Sequence, residues 1–190
     1  MPRLILASQS PRRRELLEQI GLTFDVIPAD INESVQAGEL AVDFVARMAR
    51  EKAEAVARQQ PDALVLGSDT AVVVDEHILG KPADKADARR MLGLLSGREH
   101  AVLSAVALIV PGQAERVITQ VSRVRFRSIS ETEMHAYWRS GEPKDKAGAY
   151  AIQGLGAVFV EHLSGSYSGV MGLPLFETAR LLEEAGISSL

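Results

Sequence analysis

Cysteine is absent from the 190 residues, which excludes disulfide staples, thiolate zinc centres and cysteine nucleophiles and fits a reducing compartment. Aromatic residues make up only 5% of the chain, and its four histidines do not fall at metal-ligand spacing. His100 and His135 are therefore expected at the surface, without a role. No apolar run approaches the roughly 20 residues that a membrane helix needs. The start, Met1-Pro-Arg-Leu-Ile-Leu-Ala7, breaks off after four apolar residues, too few for a signal peptide. A cytoplasmic location with no membrane partner is expected. Positive charge is not in excess, with 21 Lys and Arg against 25 Asp and Glu, so nucleic acid is not an expected partner and any anion site must be a local cluster. Neither Gly-x-x-x-x-Gly-Lys-Ser/Thr nor Gly-x-Gly-x-x-Gly occurs, which removes the P-loop and the dinucleotide fingerprint.

A hydrophobic content of 46% with 24% charged residues supports a full core in a single domain, residues 1–190, with room for two lobes. The opening stretch, Arg3-Leu-Ile-Leu-Ala-Ser-Gln-Ser-Pro-Arg-Arg-Arg-Glu15, runs from a short apolar strand into a helix start. Ser10 is a good N-cap and Pro11 suits the first helical position. Arginines 12, 13 and 14 then crowd the positive end of the helix dipole, an arrangement that a bound anion would turn from unfavourable to favourable. A basic surface helix is the competing reading.

Farther along, Glu39–Gln59 has helical periodicity through Leu40, Phe44, Val45 and Met48, and Lys52 falls on the same inward stripe, either as a cleft residue or as a lysine snorkelling from the stripe's edge. Ala63–Val74 is a buried-type strand interrupted by Gly67-Ser68-Asp69-Thr70. An aspartate there needs a partner, unless a bulge or turn at Gly67 removes it from the core. A helix capped by Asp84 turns Ala88, Met91, Leu92 and Leu95 inward. Strands are expected over His100–Val110 and Arg116–Arg127, the second with Val124 and Phe126 on one face and arginines on the other. Ser130 and Glu133 form a capping box stapled by Ile129 and Met134. The glycine-rich Ala147–Gly156 precedes a strand over Ala157–Glu161, and a last helix packs through Phe176, Ala179 and Leu182. Helices interleaved with strands predict an α/β domain with a mixed sheet.

The unusual polar residues Ser8, Arg12, Arg13, Glu33, Lys52, Asp69, Lys81, Asp145 and Gln153 each stand beside a loop, helix end or strand break, as residues of one cleft would. Cations for a polyphosphate and carboxylates for a metal and its water are the parts that phosphoryl or nucleotidyl chemistry demands.

The chain resembles the Maf family of nucleoside triphosphate pyrophosphatases over nearly its whole length. The matching pieces are Leu6-Ala-Ser-x-Ser-Pro-Arg-Arg13, Glu51-Lys-Ala53, Gly67-Ser-Asp-Thr70, Gly80-Lys-Pro82, Leu95-Ser-Gly97, Asp145-Lys-Ala-Gly-Ala-Tyr150, Ile152-Gln-Gly154, Gly165-Ser-Tyr167 and Gly172-Leu-Pro174. The resemblance implies an elongated mixed sheet flanked by helices, the inosine-triphosphatase-like fold, with a cleft between two lobes. It also implies water attack on the α-phosphorus of a nucleoside triphosphate, giving monophosphate and pyrophosphate. The implied cofactor is a divalent cation, magnesium foremost, with manganese or cobalt as substitutes. Family members are often homodimers, and nothing in this sequence excludes that assembly.

Residue by residue, the resemblance makes Asp69 the proton acceptor, with Lys52 and Lys81 as catalytic cations, Ser8 and Arg13 as phosphate ligands, and Glu33 with Asp69 as metal ligands. Whether Asp69 takes the proton itself or orients hydroxide on the metal stays open. Arg12, Thr70 and Gln153 resemble the subclass acting on dTTP and UTP. The Gln153 amide offers a donor and an acceptor to the edge of uracil or thymine. Gly169 stands where many members have asparagine. The function implied is house-cleaning of the nucleotide pool, the alternatives being a nucleotide-binding regulator of septum formation with little turnover, and a nucleotidyltransferase.

Overall fold

The computed structural model describes residues 3–189. It is a mixed α/β protein with a seven-stranded sheet flanked by helices. In chain order the elements are β1 (Leu4–Leu6), α1 (Pro11–Gln19), β2 (Asp25–Val26), α2 (Ala41–Ala57), β3 (Leu64–Val74), β4 (His77–Leu79), α3 (Lys85–Leu95), β5 (Glu99–Ile109), β6 (Arg116–Phe126), α4 (Glu131–Arg139), β7 (Val160–Ser164), α5 (Tyr167–Met171) and α6 (Leu175–Glu184). Short 3-10 turns occupy Glu142–Asp145, Ala147–Ala149 and Leu155–Phe159. The strand order is β2-β1-β3-β5-β6-β7, with β4 on β3. Strand β1 runs parallel to both β2 and β3, whereas β3–β4 and β6–β7 are antiparallel. Among the described residues no helix is long and apolar enough to cross a membrane.

The chain forms two compact units. The first comprises the chain through Thr70, Ser104–Gln120 and the segment from Gly172 onward; the second comprises Ala71–Leu103 and Val121–Met171. In the first unit, α2 buries Phe44, Val45, Met48, Ala49, Ala53 and Val56, the stripe expected from its periodicity. Leu40 does not share it. It is the N-cap residue and stands 66% exposed. Helix α6 likewise turns Thr178, Leu181 and Leu182 inward and leaves Phe176 69% exposed, so its buried face is rotated from the one expected.

Strand β3 is continuous through Gly67-Ser68-Asp69-Thr70, with no turn at that point. Gly67 is there for another reason. A Cβ at this position would fall on the Ala49 carbonyl oxygen and within 2.8 Å of the Ala53 nitrogen, so β3 and α2 meet backbone to backbone.

The second unit closes around Val72, Leu79, Met91, Leu95, Phe126 and Phe159. Asp84 accepts from the Asp87 backbone N–H at 2.8 Å to start α3. Ser130 and Glu133 complete a reciprocal capping box at α4. Ile129 and Met134, the two residues of its staple, are both in this core. The strand expected at Ala157–Glu161 begins later. Leu155–Phe159 is a 3-10 turn, and pairing with β6 starts at Val160.

His100, expected at the surface, is only 2% exposed. Its Nε2 lies 2.7 Å from the Tyr150 hydroxyl, and its ring meets Phe126 edge-on at 4.9 Å. Nδ1 has no hydrogen-bond partner among the described residues. Burial lowers the His100 pKa from 6.5 to about 4. The unfolded chain then takes up a proton at a higher pH than the folded one, so stability present above pH 6.5 is lost as pH falls from 6.5 toward 4. The expected loss is about 3 kcal/mol at most. Urea midpoints measured from pH 7 to pH 4 should show this fall, and His100→Gln should flatten it. An identical pH profile in the variant would remove His100 as its source.

Candidate functional site

A cluster of polar side chains in the first unit gathers where α1, α2 and β3 present their ends and inner faces. Ser10 caps α1 as expected, its side chain accepting from the Arg13 N–H, and Pro11 opens the helix. Ser8 is buried; its Oγ accepts from the Ser10 N–H at 3.2 Å and from an Arg13 terminal nitrogen at 3.2 Å.

Arg13 is the hinge of this group. Its Nε donates to the Gly172 carbonyl at 2.8 Å, one terminal nitrogen to Ser8 and the other to Thr70 Oγ1 at 3.3 Å. A guanidinium carries five N–H donors, so three are engaged in holding it and two remain for a ligand. Burial lowers its pKa; Asp69 opposes that shift, Arg12 adds to it through repulsion, and Glu33 opposes it. Arg13 still remains a cation at any physiological pH, in surroundings that an arriving anion would relieve. Arg12 is half-buried. Arg14 is exposed and pairs with Glu18 one turn on, an ordinary surface residue.

Lys52 and Asp69 form the second part. Their relative exposures are 7% and 8%, and Lys52 Nζ lies 2.8 Å from Asp69 Oδ1. Lys52 faces inward because it stands on the apolar stripe of α2, and Asp69 because β3 is buried along its length. The buried aspartate thus has the partner that its desolvation demands. Glu33 also reaches Lys52, Oε1 to Nζ at 3.2 Å, from a loop position with a 58% exposed side chain. One ammonium therefore gathers two carboxylates. Asp69 Oδ2 makes no hydrogen bond to the described residues, so a water or ligand can use it.

The Glu33 loop is itself held. Arg47 of α2 donates to both oxygens of Glu39, at 2.6 and 2.8 Å, and to the Ser34 carbonyl at 3.0 Å. The Asn32 side-chain oxygen accepts from the Ser34 N–H and hydroxyl. Hydrogen bonds from Arg47 and from the Gln36 N–H hold the Glu39 carboxyl down to about 2.

Thr70, expected at the base, is joined to Arg13. It also contacts Ser104 Oγ at 2.9 Å and the Gly172 carbonyl at 3.2 Å. Ser68 donates to the same carbonyl at 3.4 Å. The structure thus brings Ser8, Arg13 and Thr70 into one network, and Glu33, Lys52 and Asp69 into another. Ser104 and the Gly172 carbonyl were missed from the sequence. Gly172-Leu-Pro174 was a visible signal, but a motif does not tell which backbone atom it contributes.

Lys81 and Gln153 belong to the second unit, both exposed, and no side-chain hydrogen bond of either is seen among the described residues. Asp145 is exposed and accepts from Lys146 Nζ at 2.6 Å. Among the described residues no group of three or more His, Asp or Glu is assembled as a metal site.

The family model described as Maf-like protein matches residues 3–185. A Hahella chejuensis protein named dTTP/UTP pyrophosphatase is 56% identical over 188 residues, covering 97% of this chain and 93% of its own. One of the same name from Bordetella parapertussis is 54% identical over 196 residues, covering 98% and 94%. Among solved structures, a HAM1 protein from Coxiella burnetii is similar in fold, with a TM-score of 0.53 at 19% identity over 97% of this chain and all of that one.

Proposed function

Because the chain belongs to the Maf-like protein family, we propose that it is a nucleoside triphosphate pyrophosphatase acting on dTTP and UTP, as its relatives are named. The products would be the nucleoside monophosphate and pyrophosphate. The observation that carries this reading is the convergence of Asp69 and Glu33 on Lys52 Nζ. It puts a carboxylate able to accept a proton in a largely buried, cation-lined setting. A cytoplasmic location belongs to the same proposal, as does a homodimeric assembly.

In the reaction, water attacks the α-phosphorus as the bridging bond to the β-phosphate breaks. Asp69 Oδ2 accepts the water's proton, while Oδ1 stays on Lys52. Lys52 offsets the negative charge gathering on the phosphoryl oxygens and keeps the carboxylate from rotating. Arg13 offers its two remaining N–H donors to phosphate oxygens, its plane set by Ser8, Gly172 and Thr70. Lys81 is assigned to the pyrophosphate leaving group and Arg12 and Gln153 to the base. The Gln153 amide can donate to O4 and accept from N3–H, which a glutamate could not do.

A divalent cation, magnesium foremost, is the proposed cofactor. Glu33 and Asp69 suit it: both are hard oxygen donors, and magnesium commonly takes one or two carboxylates and completes its shell with water and substrate phosphates. When bound, it supplies Lewis-acid polarisation of the phosphoryl oxygens.

The test is incubation with each nucleoside triphosphate, with and without magnesium, followed by product identification. Monophosphate and pyrophosphate from dTTP and UTP, dependent on the metal, are expected. Orthophosphate with the diphosphate, or no turnover, would refute the reading. The regulatory alternative has no observation in its favour.

A further inference from the structure

In the second unit, the side chain of Gln153 is bracketed by backbone that two other residues pin. The Tyr137 hydroxyl, on α4, donates to Glu142 Oε2 and accepts from the Ala151 N–H at 3.0 Å. The Glu142 carboxylate also accepts from the Leu155 N–H at 2.8 Å and the Gly156 N–H at 2.9 Å. Residues two before and two after Gln153 are thereby tied to one Tyr–Glu pair. A carboxylate has acceptors alone, and here it faces three donors. Burial and then Glu142 push the Tyr137 pKa up, so the phenol remains a donor.

The local sequence is cut to fit this pair. A Cβ at position 154 would fall on Glu142 Oε1, and one at 156 would lie 2.7 Å from the Tyr137 hydroxyl and 2.6 Å from the Ala151 carbonyl. The glycines of Gln153-Gly-Leu-Gly156 let the loop wrap onto the carboxylate. Gln153 itself is exposed, so the pair holds its backbone and leaves its amide for a ligand.

We propose that Tyr137 and Glu142 are positioning residues for base selection: they set the Gln153 amide and so determine how well the enzyme prefers a pyrimidine triphosphate. This rests on Gln153 being the reader of the base. A side chain held at both flanks pays less ordering entropy on binding, and the gain goes to the base that matches its donor–acceptor pair. An unpinned loop would let the amide reorient, and a mismatched base would be penalised less.

The experiment is steady-state kinetics on dTTP and dGTP with magnesium for Tyr137→Phe, Glu142→Ala, Gln153→Ala and the double variant Tyr137→Phe/Gln153→Ala, with thermal melts of each. Tyr137→Phe keeps the ring against Phe159, centroids 5.1 Å apart, and removes only the hydroxyl. It is expected to raise KM for dTTP about fivefold with a smaller change in kcat, and to lower the dTTP-to-dGTP ratio of kcat/KM by a similar factor. In the Gln153→Ala background the same change should leave that ratio where Gln153→Ala put it. If Gln153→Ala lowers the ratio but Tyr137→Phe and Glu142→Ala do not, the positioning inference fails and the base reading stands. Failure of Gln153→Ala to move the ratio removes the base reading and this inference with it. Equal losses on both nucleotides with the ratio intact would reduce the pair to general stability and overturn the proposal.

Discussion

Asp69→Asn is expected to cut turnover of dTTP on the order of 10²-fold or more while the variant melts close to the parent. The size follows from chemistry: an amide cannot accept the water's proton, and it is a poorer ligand for a hard cation. The retention of fold follows from the neighbourhood. Lys52 keeps Glu33 at 3.2 Å as a charged partner, and an asparagine oxygen can still accept from its Nζ, so no buried cation is stranded. Lys52→Met is the contrasting change. It would leave the Asp69 and Glu33 carboxylates without the ammonium that gathers them, so stability and turnover should fall together. A single-turnover assay paired with a melting curve separates the two cases. An Asp69→Asn protein with near-parental turnover would remove the aspartate from the chemistry.

Gly67→Ala is expected to cost about 3 kcal/mol, at the upper end of overpacking penalties, and to lower activity without touching a polar group. One methyl group is enough because the obstacle is backbone. It would land on the Ala49 carbonyl and crowd Ala53, and neither can rotate away as a side chain could. Helix α2 must shift, and Lys52 shifts with it, away from an aspartate two residues along the strand from the new methyl. Gly93→Ala is the control: it lies within α3, is exposed, and nothing is within 4 Å of its Cβ position, so a gain of about 0.5–1 kcal/mol is expected there. Equal melting temperatures for Gly67→Ala and the parent would show that the helix moves freely.

These residues also mark how far the sequence could be read. Local rules were legible: the Ser10, Asp84 and Ser130 caps, the α2 stripe and the inward turn of Lys52 are properties of a few neighbouring residues. So was the need of Asp69 for a partner, since burial of a carboxylate is costly wherever it occurs. What was hidden depends on residues far apart in the chain. The reason for Gly67 lies in the closeness of a helix, and a glycine looks the same whether it serves a turn or a contact. Phe176 and Leu40 are apolar and suitably spaced, but a helix's buried face is chosen by what packs against it, and those two face outward. His100 reads as polar, whereas the aromatic rings around it are supplied by residues 126 and 150. Nor could Glu142 be singled out, because its three donors are a side chain on α4 and two backbone N–H groups of a glycine-rich stretch, and a sequence does not tell which N–H groups a carboxylate will meet.

The bond between Arg13 and the Gly172 carbonyl spans 159 positions of sequence. The first unit is closed by the segment from Gly172 onward, which carries the buried Leu173, Leu181 and Leu182. On the ribosome, the N-terminal arginine helix therefore emerges long before the carbonyl that orients it, and contacts so distant in sequence form late. The nascent chain has these charges early and their geometry only later. A chain cut at Met171 would keep Lys52, Asp69 and Arg13 and lose the brace on the guanidinium, so under the role proposed for Arg13 a competent phosphate grip would await synthesis of the segment from Gly172.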